Sequence, residues 1–130
     1  MRGGSGNDTL LGGLGDDLIS TGRGTDAVTA GAANDRIEVD MYGSSICSLS
    51  GGEGADQFIF VNCQTAGISR AILTDFDPTQ DLLTINGLTG YAAISSAKGF
   101  AGLQDAGADA TLRFGDDVYV FKGVDAADFF

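Results

Sequence analysis

The feature that most constrains this chain is a nine-residue pattern that returns in five units. The units cover residues 3–11, 12–20, 21–29, 30–38 and 51–59. Each unit has an aspartate at its sixth position, and these are Asp8, Asp17, Asp26, Asp35 and Asp56. Each unit has an apolar residue at its eighth position, and these are Leu10, Ile19, Val28, Ile37 and Phe58. A fixed period of this kind indicates a stacked array of short structural repeats.

Each unit is predicted to combine a tight turn with a short strand. Glycine recurs at positions one, two and four of the units, and it permits the positive φ angles that a continuous turn requires. We therefore expect the first six residues of a unit to form a turn and the last three a strand. If successive strands lie on two opposing sides, one coil takes two units. The residues at position eight then point inward in two apolar columns, with Leu10 stacked on Val28 and Ile19 stacked on Ile37.

The core of such an array is predicted to be thin. Two inward side chains per coil contribute about 1.5–3 kcal/mol each when fully buried. Ordering the backbone costs on the order of 1–2 kcal/mol for every residue of the unit. We therefore expect something beyond hydrophobic burial to hold the array together.

The pattern is interrupted after the fourth unit. We interpret residues 39–41 as an insertion and residues 42–50 as a degenerate unit. Cys47 stands at the position of the aspartate, so this turn has lost its carboxylate. Leu49 and Phe58 are expected to continue the two apolar columns.

Beyond the repeats, the chain is predicted to form further strands. The candidate strands cover residues 58–61, 71–73, 82–85, 111–114 and 118–121. The last two strands alternate around Gly115, Asp116 and Asp117, which indicates a β-hairpin with both aspartates in its turn. We also consider a short helix over residues 93–98, which the pattern neither favours nor excludes. We place the repeat array in residues 1–61 and a C-terminal β cap in residues 62–130, within one continuous domain.

Calcium is the cation that this turn chemistry favours. It takes six to eight oxygen ligands, from carboxylates and backbone carbonyls, at about 2.3–2.6 Å. One turn offers too few oxygens, but two turns stacked one coil apart offer enough. The candidate ligands, at positions two, four and six, are Gly4, Gly6, Asp8, Gly13, Gly15, Asp17, Gly22, Gly24, Asp26, Gly31, Ala33, Asp35, Gly52, Gly54 and Asp56. Magnesium is the weaker alternative, because it fits irregular carbonyl cages poorly.

The stacking of turns predicts about three calcium ions, because each ion needs two carboxylate-bearing turns. One ion is expected between Asp8 and Asp26, one between Asp17 and Asp35, and one between Asp35 and Asp56. The gap that joins Asp26 to the Cys47 turn lacks one carboxylate and should bind weakly or not at all. Glycine and aspartate also make good turns without a metal, but five units that share both the aspartate and the apolar position favour calcium.

The composition excludes several classes of function. The formal net charge of −11 would repel nucleic-acid phosphates and an anionic membrane surface. No apolar run is long enough to cross a bilayer. The chain has no histidine, which excludes the usual zinc sites and His-based catalytic triads. We therefore expect no nucleic-acid binding, no membrane insertion and no enzyme activity in this chain.

The units resemble the nonapeptide repeats of the RTX family, which form a calcium-binding parallel β-roll. The likeness covers residues 3–59 and continues into residues 73–85, a stretch similar to the cap that follows the roll in serralysin-type proteases and mannuronan epimerase regulatory modules. The resemblance implies an all-β fold, with a right-handed parallel β-roll followed by a C-terminal β cap. It also implies secretion through the bacterial type I machinery, with the signal at the C-terminus. Residues 127–130, Ala-Asp-Phe-Phe, are similar to the ends of such secreted proteins.

The resemblance implies a non-catalytic calcium-binding module that couples calcium-dependent folding to type I secretion and stabilises an attached secreted enzyme, toxin or adhesin. The alternative is a regulatory module that binds an acidic polysaccharide, a polyuronate, within an extracellular carbohydrate-active enzyme. That alternative needs a basic or aromatic stripe, whereas the arginines are scattered: Arg23, Arg36, Arg70 and Arg113. The sequence has no pairing of nucleophile and base of the kind that a free-standing hydrolase would need.

Two further groups of residues have open roles. Asp75, Asp77 and Asp81 form either another calcium site or, as we favour, turn caps over a buried phenylalanine. Cys47 and Cys63 either form a disulfide in an oxidising medium or, as we favour, stay unpaired.

Overall fold

A computed structural model describes residues 1–63, 67–90 and 100–129 of the chain. These residues form an all-β parallel β-solenoid, which confirms the predicted fold class, and they include no α-helix. Their strands are β1 (Arg2–Ser5), β2 (Thr9–Leu14), β3 (Leu18–Arg23), β4 (Ala27–Ala32), β5 (Arg36–Asp40), β6 (Ile46–Glu53), β7 (Gln57–Val61), β8 (Arg70–Leu73), β9 (Leu82–Ile85), β10 (Leu88–Thr89), β11 (Phe100–Ala106), β12 (Asp109–Phe114) and β13 (Asp117–Phe121). A 3₁₀ helix covers Ala126–Phe129. The helix considered over residues 93–98 lies outside the described residues.

Successive strands alternate between two sheets, as expected for a coil of two units. Sheet A contains β1, β3, β5, β7 and β9 in that order, and sheet B contains β2, β4, β6 and β8. Neighbouring strands in each of these series are parallel. Two strands therefore complete one coil, and the coils stack into a solenoid of about 4 turns.

The strands are longer than the repeat pattern predicts. β2, for example, begins at position seven of one unit and ends at position three of the next. Only positions four to six form the turn, so the prediction of a six-residue turn is wrong. The glycines at positions one and two lie within strands, and each sheet consequently has a longer hydrogen-bonded ladder than expected.

The structure confirms the two apolar columns. The first column lies in sheet B and the second in sheet A, and both extend one coil beyond the repeats. In register, the columns are Leu10–Val28–Leu49–Leu73 and Ile19–Ile37–Phe58–Leu83. Cys47 occupies the aspartate position, directly above Asp26, as the interpretation of residues 42–50 requires.

The core widens from the first coil toward the last. In sheet A, Val39, Phe60 and Ile85 form a third, fully buried column that begins only at β5. Aromatic rings are added at the C-terminal end, where Tyr119 meets Phe60 with 4.8 Å between ring centroids. The prediction of a thin core is therefore right for the first coils and wrong for the later ones.

The C-terminal strands close sheet B. β11, β12 and β13 form an antiparallel meander, which confirms the predicted hairpin, and β13 is parallel to β8. Asp117 is not a turn residue as predicted. It begins β13, is buried, and accepts a hydrogen bond from the Ser69 backbone N–H at 3.1 Å. Parallel stacking also continues past residue 61, where we place the end of the repeat array, because β8 and β9 extend the two sheets.

Both thiols are buried and free in the structure. Cys63 accepts a hydrogen bond from the Tyr119 hydroxyl at 3.1 Å. Burial raises the pKa of the Cys63 thiol to about 11. No helix among the described residues is both long enough and apolar enough to span a membrane.

Candidate metal centre

The repeat aspartates form two ladders along the stack. In each ladder, the backbone N–H of one aspartate donates to a carboxylate oxygen of the aspartate in the next coil. The three pairs are Asp8 to Asp26 at 2.9 Å, Asp17 to Asp35 at 2.8 Å and Asp35 to Asp56 at 2.9 Å. The structure thus brings together the three pairs of turns that the sequence predicts.

Each of these carboxylates has one oxygen that makes no hydrogen bond. The five Oδ2 atoms of Asp8, Asp17, Asp26, Asp35 and Asp56 are buried and lack a protein partner. Leaving a buried polar atom unsatisfied costs about 1–3 kcal/mol, and more for a charged group. A divalent cation between the coils would satisfy these oxygens, so the side chains present fit calcium.

The surroundings of the three innermost carboxylates disfavour their ionised form. Burial raises the pKa of Asp26, Asp35 and Asp56, and the neighbouring carboxylates in the ladder raise it further. These residues are only 1–2% exposed, so water screens their mutual repulsion less than it would at the surface. The ladders therefore favour either protons or a bound cation over a row of bare negative charges.

Glycine carbonyls line the same gaps between coils. All ten predicted ligands at positions two and four have positive φ, from 78° at Gly22 to 133° at Gly24, and they include one alanine, Ala33, at 90°. The carbonyl oxygen of Gly6, for example, faces the α-carbon of Gly24 in the next coil. A β-carbon added there would lie only 1.8 Å from that oxygen. Glycine thus gives these positions their backbone conformation, and from Gly22 onward it also permits close approach to the preceding coil.

Position one is glycine for a different reason. Gly3, Gly12 and Gly51 do not have positive φ, so the prediction that they need it is wrong. A β-carbon at Gly3 would instead lie 2.4 Å from the Thr21 carbonyl oxygen of the next coil and 2.7 Å from the Asp8 Oδ2 atom. One at Gly51 would lie 2.2 Å from the Asp56 Oδ2 atom. Glycine at these three positions makes room for the unsatisfied carboxylate oxygen and, at Gly3 and Gly12, also for a carbonyl oxygen of the next coil.

The gap above Asp26 differs from the others. Cys47 is fully buried there, and its Sγ atom lies 3.8 Å from the Gly24 carbonyl oxygen. Burial raises the pKa of this thiol, which keeps it protonated and uncharged. The gap therefore has one carboxylate where the three predicted gaps have two.

Asp81 extends the sheet A ladder, which we did not predict from the sequence. The Asp56 backbone N–H donates to Asp81 Oδ1 at 2.9 Å, the same link that joins the repeat aspartates. Its other oxygen accepts from the Asp77 N–H at 2.8 Å, so Asp81 is satisfied within the protein. The signal was present, because Asp81 precedes the column residue Leu83 with the same spacing as in a repeat. The glycine-free turn concealed it.

Of the other two aspartates of this segment, Asp77 caps a turn, whereas Asp75 binds the backbone of strand β6. Asp75 accepts hydrogen bonds from the Gly51 and Gly52 N–H groups, both at 3.0 Å. Asp77 accepts from the Thr79 N–H at 2.9 Å. The turn-cap interpretation that we favoured from the sequence is therefore confirmed for Asp77 and wrong for Asp75. Phe76, which lies between them, is buried.

The described residues contain no group of three or more His, Cys, Asp and Glu side chains that could hold a metal. Each of the three predicted gaps offers two carboxylates, so the remaining ligands there must be backbone carbonyls. This donor set of oxygens alone suits a hard cation that tolerates irregular geometry.

Comparison with known proteins agrees with this geometry. Residues 2–37 match the RTX calcium-binding nonapeptide repeat in 4 copies. No curated protein matches the chain. The matched residues include the first four aspartates of the two ladders and the glycines between them. The chain therefore carries the calcium-binding nonapeptide repeats of the RTX family, folded as a parallel β-roll.

Proposed function

We propose that this chain is a non-catalytic module whose calcium-dependent folding is coupled to type I secretion and which stabilises an attached secreted protein. The observation that carries the proposal is the set of five buried carboxylate oxygens that have no partner in the protein. Such a set is destabilising by itself and stabilising once a cation is bound.

The coupling between calcium and folding follows from this arrangement. Where calcium is scarce, as in the cytosol, ionised carboxylates one coil apart repel each other and oppose stacking. Where calcium is plentiful, binding to the stacked form alone shifts the equilibrium toward the folded state. The chain would then stay extended during export and fold outside the cell.

We propose about three bound ions, since each needs two carboxylate-bearing turns. They would lie in the Asp8–Asp26, Asp17–Asp35 and Asp35–Asp56 gaps, with the carbonyls at positions two and four as further ligands. Asp81 adds no fourth ion in this proposal, because both of its oxygens already accept backbone hydrogen bonds.

RTX repeats are typical of proteins secreted by the type I pathway, and we propose that this chain leaves a bacterial cell by that route. In the proposed division of the chain, residues 1–61 are the repeat array and residues 62–130 are the cap that contains the secretion signal. Phe129, near the end of the cap, packs on Phe121 with 4.9 Å between ring centroids, so this residue of the proposed signal is in contact with the cap in the folded chain.

Circular dichroism in chelator and at millimolar calcium tests the folding proposal. We expect mainly disordered chain in chelator and β structure with calcium, and a much weaker response to magnesium at the same concentration. Isothermal titration calorimetry should give about three calcium ions per chain, one for each gap with two carboxylates. A chain that is fully folded in chelator, with no change on adding calcium, would overturn the proposal.

A second candidate function, polyuronate binding, is favoured by one observation on sheet B. Arg70 and Arg113 are exposed on either side of Val118, in the same row across β8, β13 and β12. Neither arginine has an acidic partner within 4.0 Å among the described residues, whereas Arg23 lies 3.8 Å from Asp40. Titration of the calcium-loaded chain with alginate oligomers tests this. Heat of binding that is lost in an Arg70→Ala, Arg113→Ala variant would support it, and no heat in the parent chain would end it.

A further inference from the structure

The fifth position of the units forms a second ladder beside the ladder of repeat aspartates. In this second ladder, a side-chain oxygen of one turn accepts a hydrogen bond from the backbone N–H at the fifth position of the turn one coil later. The three bonds are to Asn7 from Thr25 at 3.3 Å, to Asp16 from Asn34 at 2.9 Å and to Asn34 from Ala55 at 2.8 Å. The repeat aspartates bond in the opposite direction, so each of the three predicted gaps is bridged both ways.

Asp16 is the one carboxylate among these three described acceptors. Asn7 and Asn34, at the equivalent positions, accept the same bond through a neutral amide oxygen. The ladder therefore requires an oxygen acceptor at position 16 but not a negative charge. A charge that the hydrogen bond does not require points to a second role for this side chain.

The charge of Asp16 is not paired with a cationic side chain. Among the described residues, no Arg or Lys lies within 4.0 Å of it, and the ion pairs there join Arg23 to Asp40 and Lys122 to Asp109. Asp16 is exposed, and only its Oδ1 atom accepts a hydrogen bond from the described part of the chain. The second carboxylate oxygen is therefore available to a ligand.

The same charge acts on the gap between Asp17 and Asp35. Burial raises the pKa of Asp35, and the charges of Asp17 and Asp16 raise it further, against the lowering effect of the Asp17 N–H. The buried Oδ2 atoms of Asp17 and Asp35 have no protein partner, and Asp35 is only 2% exposed. This gap thus combines two unsatisfied carboxylate oxygens with a third negative charge.

The other two gaps are different. In the gap between Asp26 and the preceding coil, the acceptor at the fifth position is Asn7, which is neutral. The charges of Asp81 and Asp75 raise the pKa of Asp56, after the larger effect of burial. However, both oxygens of Asp81 and of Asp75 accept hydrogen bonds from the protein. Of these three additional carboxylates, Asp16 alone keeps an oxygen without a partner in the described part of the chain.

We propose that Asp16 is a further calcium-binding residue, whose charge makes the Asp17–Asp35 gap bind calcium more tightly than the Asp8–Asp26 gap. Calcium affinity in proteins depends on the number of charged ligands in the site. In water, a unit negative charge about 6 Å from a divalent cation increases the affinity about tenfold. The inference rests on the calcium binding proposed above, and it predicts that the Asp17–Asp35 gap fills before the Asp8–Asp26 gap.

Exchange of the charge between the two gaps tests the inference. Asp16→Asn removes the charge and keeps an oxygen acceptor for the Asn34 N–H, as Asn7 does for Thr25. Asn7→Asp is the matched variant, because it adds the same charge to the other gap. In calorimetric titrations of the full chain against a competing chelator, Asp16→Asn should weaken the binding of one calcium ion about tenfold. Asn7→Asp should strengthen the binding of a different ion about tenfold, and both variants should still bind about three ions.

Variants that empty one gap assign each effect to its ion. On an Asp17→Asn background, Asp16→Asn should have no further effect, and on an Asp8→Asn background, Asn7→Asp should have none. An unchanged calcium affinity in Asp16→Asn would overturn the inference, and so would a tenfold loss that persists on the Asp17→Asn background. The parent chain, titrated alongside, separates failure of this inference from failure of the proposed function, because only the latter abolishes calcium binding by the parent.

Discussion

Asp35 is the carboxylate on which most of the calcium response should depend. It takes part in two predicted gaps, one with Asp17 and one with Asp56, whereas Asp17 takes part in only one. Asp35→Asn keeps the shape of the side chain, and the amide oxygen can still accept the Asp17 N–H that now lies 2.8 Å from Asp35 Oδ1. Asp17→Asn, in the same ladder, is the matched control.

The magnitude follows from the number of gaps that each carboxylate serves. At a free calcium concentration of 100 times Kd, one site stabilises the folded state by about 2.7 kcal/mol. If a neutral amide leaves a gap empty, Asp17→Asn loses about 2.7 kcal/mol and Asp35→Asn about 5.4 kcal/mol. For a domain of this length, about 4 °C per kcal/mol gives decreases in Tm of roughly 10 °C and 20 °C.

The sign of the effect should reverse without calcium. Burial raises the pKa of Asp35, and the charges of Asp17 and Asp16 raise it further, so the ionised side chain opposes folding when no cation is bound. In chelator, Asp35→Asn should therefore leave the folded fraction unchanged or increase it slightly.

Thermal denaturation at fixed free calcium, repeated in chelator, and calcium titration by calorimetry measure these effects. Asp35→Asn should lower the number of calcium ions bound per chain by about two and Asp17→Asn by about one, because each ion requires a pair of carboxylate-bearing turns. Equal Tm decreases for the two variants would refute the shared role of Asp35. The same loss of stability in chelator as in calcium would refute the electrostatic reasoning.

Three other predictions test the turns, the charge and the core. Gly54→Ala should destabilise the calcium-loaded chain by at least about 3 kcal/mol, because its β-carbon meets a backbone carbonyl. Gly43→Ala, at a φ of 80° with open space around it, should cost only about 1–2 kcal/mol in urea denaturation. The calcium-free chain should show most β structure by circular dichroism below pH of about 3.9, the unfolded pKa of aspartate, and lose it as pH rises, because the folded-state pKa of the buried carboxylates is raised. No acid-induced structure would contradict this. Phe58→Ala should cost about 3–5 kcal/mol at saturating calcium without changing the calcium stoichiometry, and a lost ion would contradict its role as core alone.

The repeat period was enough to predict the parts of the fold that depend on stacking. A residue at position eight must face inward in every coil, so the columns through Val28 and Ile37 followed directly from the spacing. The same period placed Asp8 over Asp26 and Asp35 over Asp56, and it located Cys47 despite the insertion before it. Each of these predictions required only that equivalent positions lie one coil apart.

The parts that the sequence did not predict depend on contacts between segments without a shared period. The spacing of Asp117 does not indicate that its carboxylate accepts a hydrogen bond from the Ser69 N–H, which is distant in sequence. It also does not indicate that Asp117 lies at the buried start of a strand and not in the hairpin turn. The role of glycine at position one was missed because two different constraints, positive φ and lack of space, select the same residue. Asp81 was not assigned to the sheet A ladder because its turn contains no glycine.

The distribution of core and charge along the stack implies that calcium does not stabilise all coils equally. Strands β2 and β3 each bury one apolar residue, and Leu10 is still 7% exposed, whereas Phe60, Tyr119 and Phe121 are fully buried near the other end. The ladders show the opposite trend, since unsatisfied carboxylates occur from Asp8 to Asp56 and end at Asp81, whose oxygens are both bonded. Hydrophobic burial therefore contributes most to stability where the carboxylates are satisfied. The bound cation contributes most where the core is thinnest. Hydrogen exchange at falling free calcium should thus show protection lost first in β1 to β4 and last in β8, β9 and β13, because local stability follows the buried apolar area.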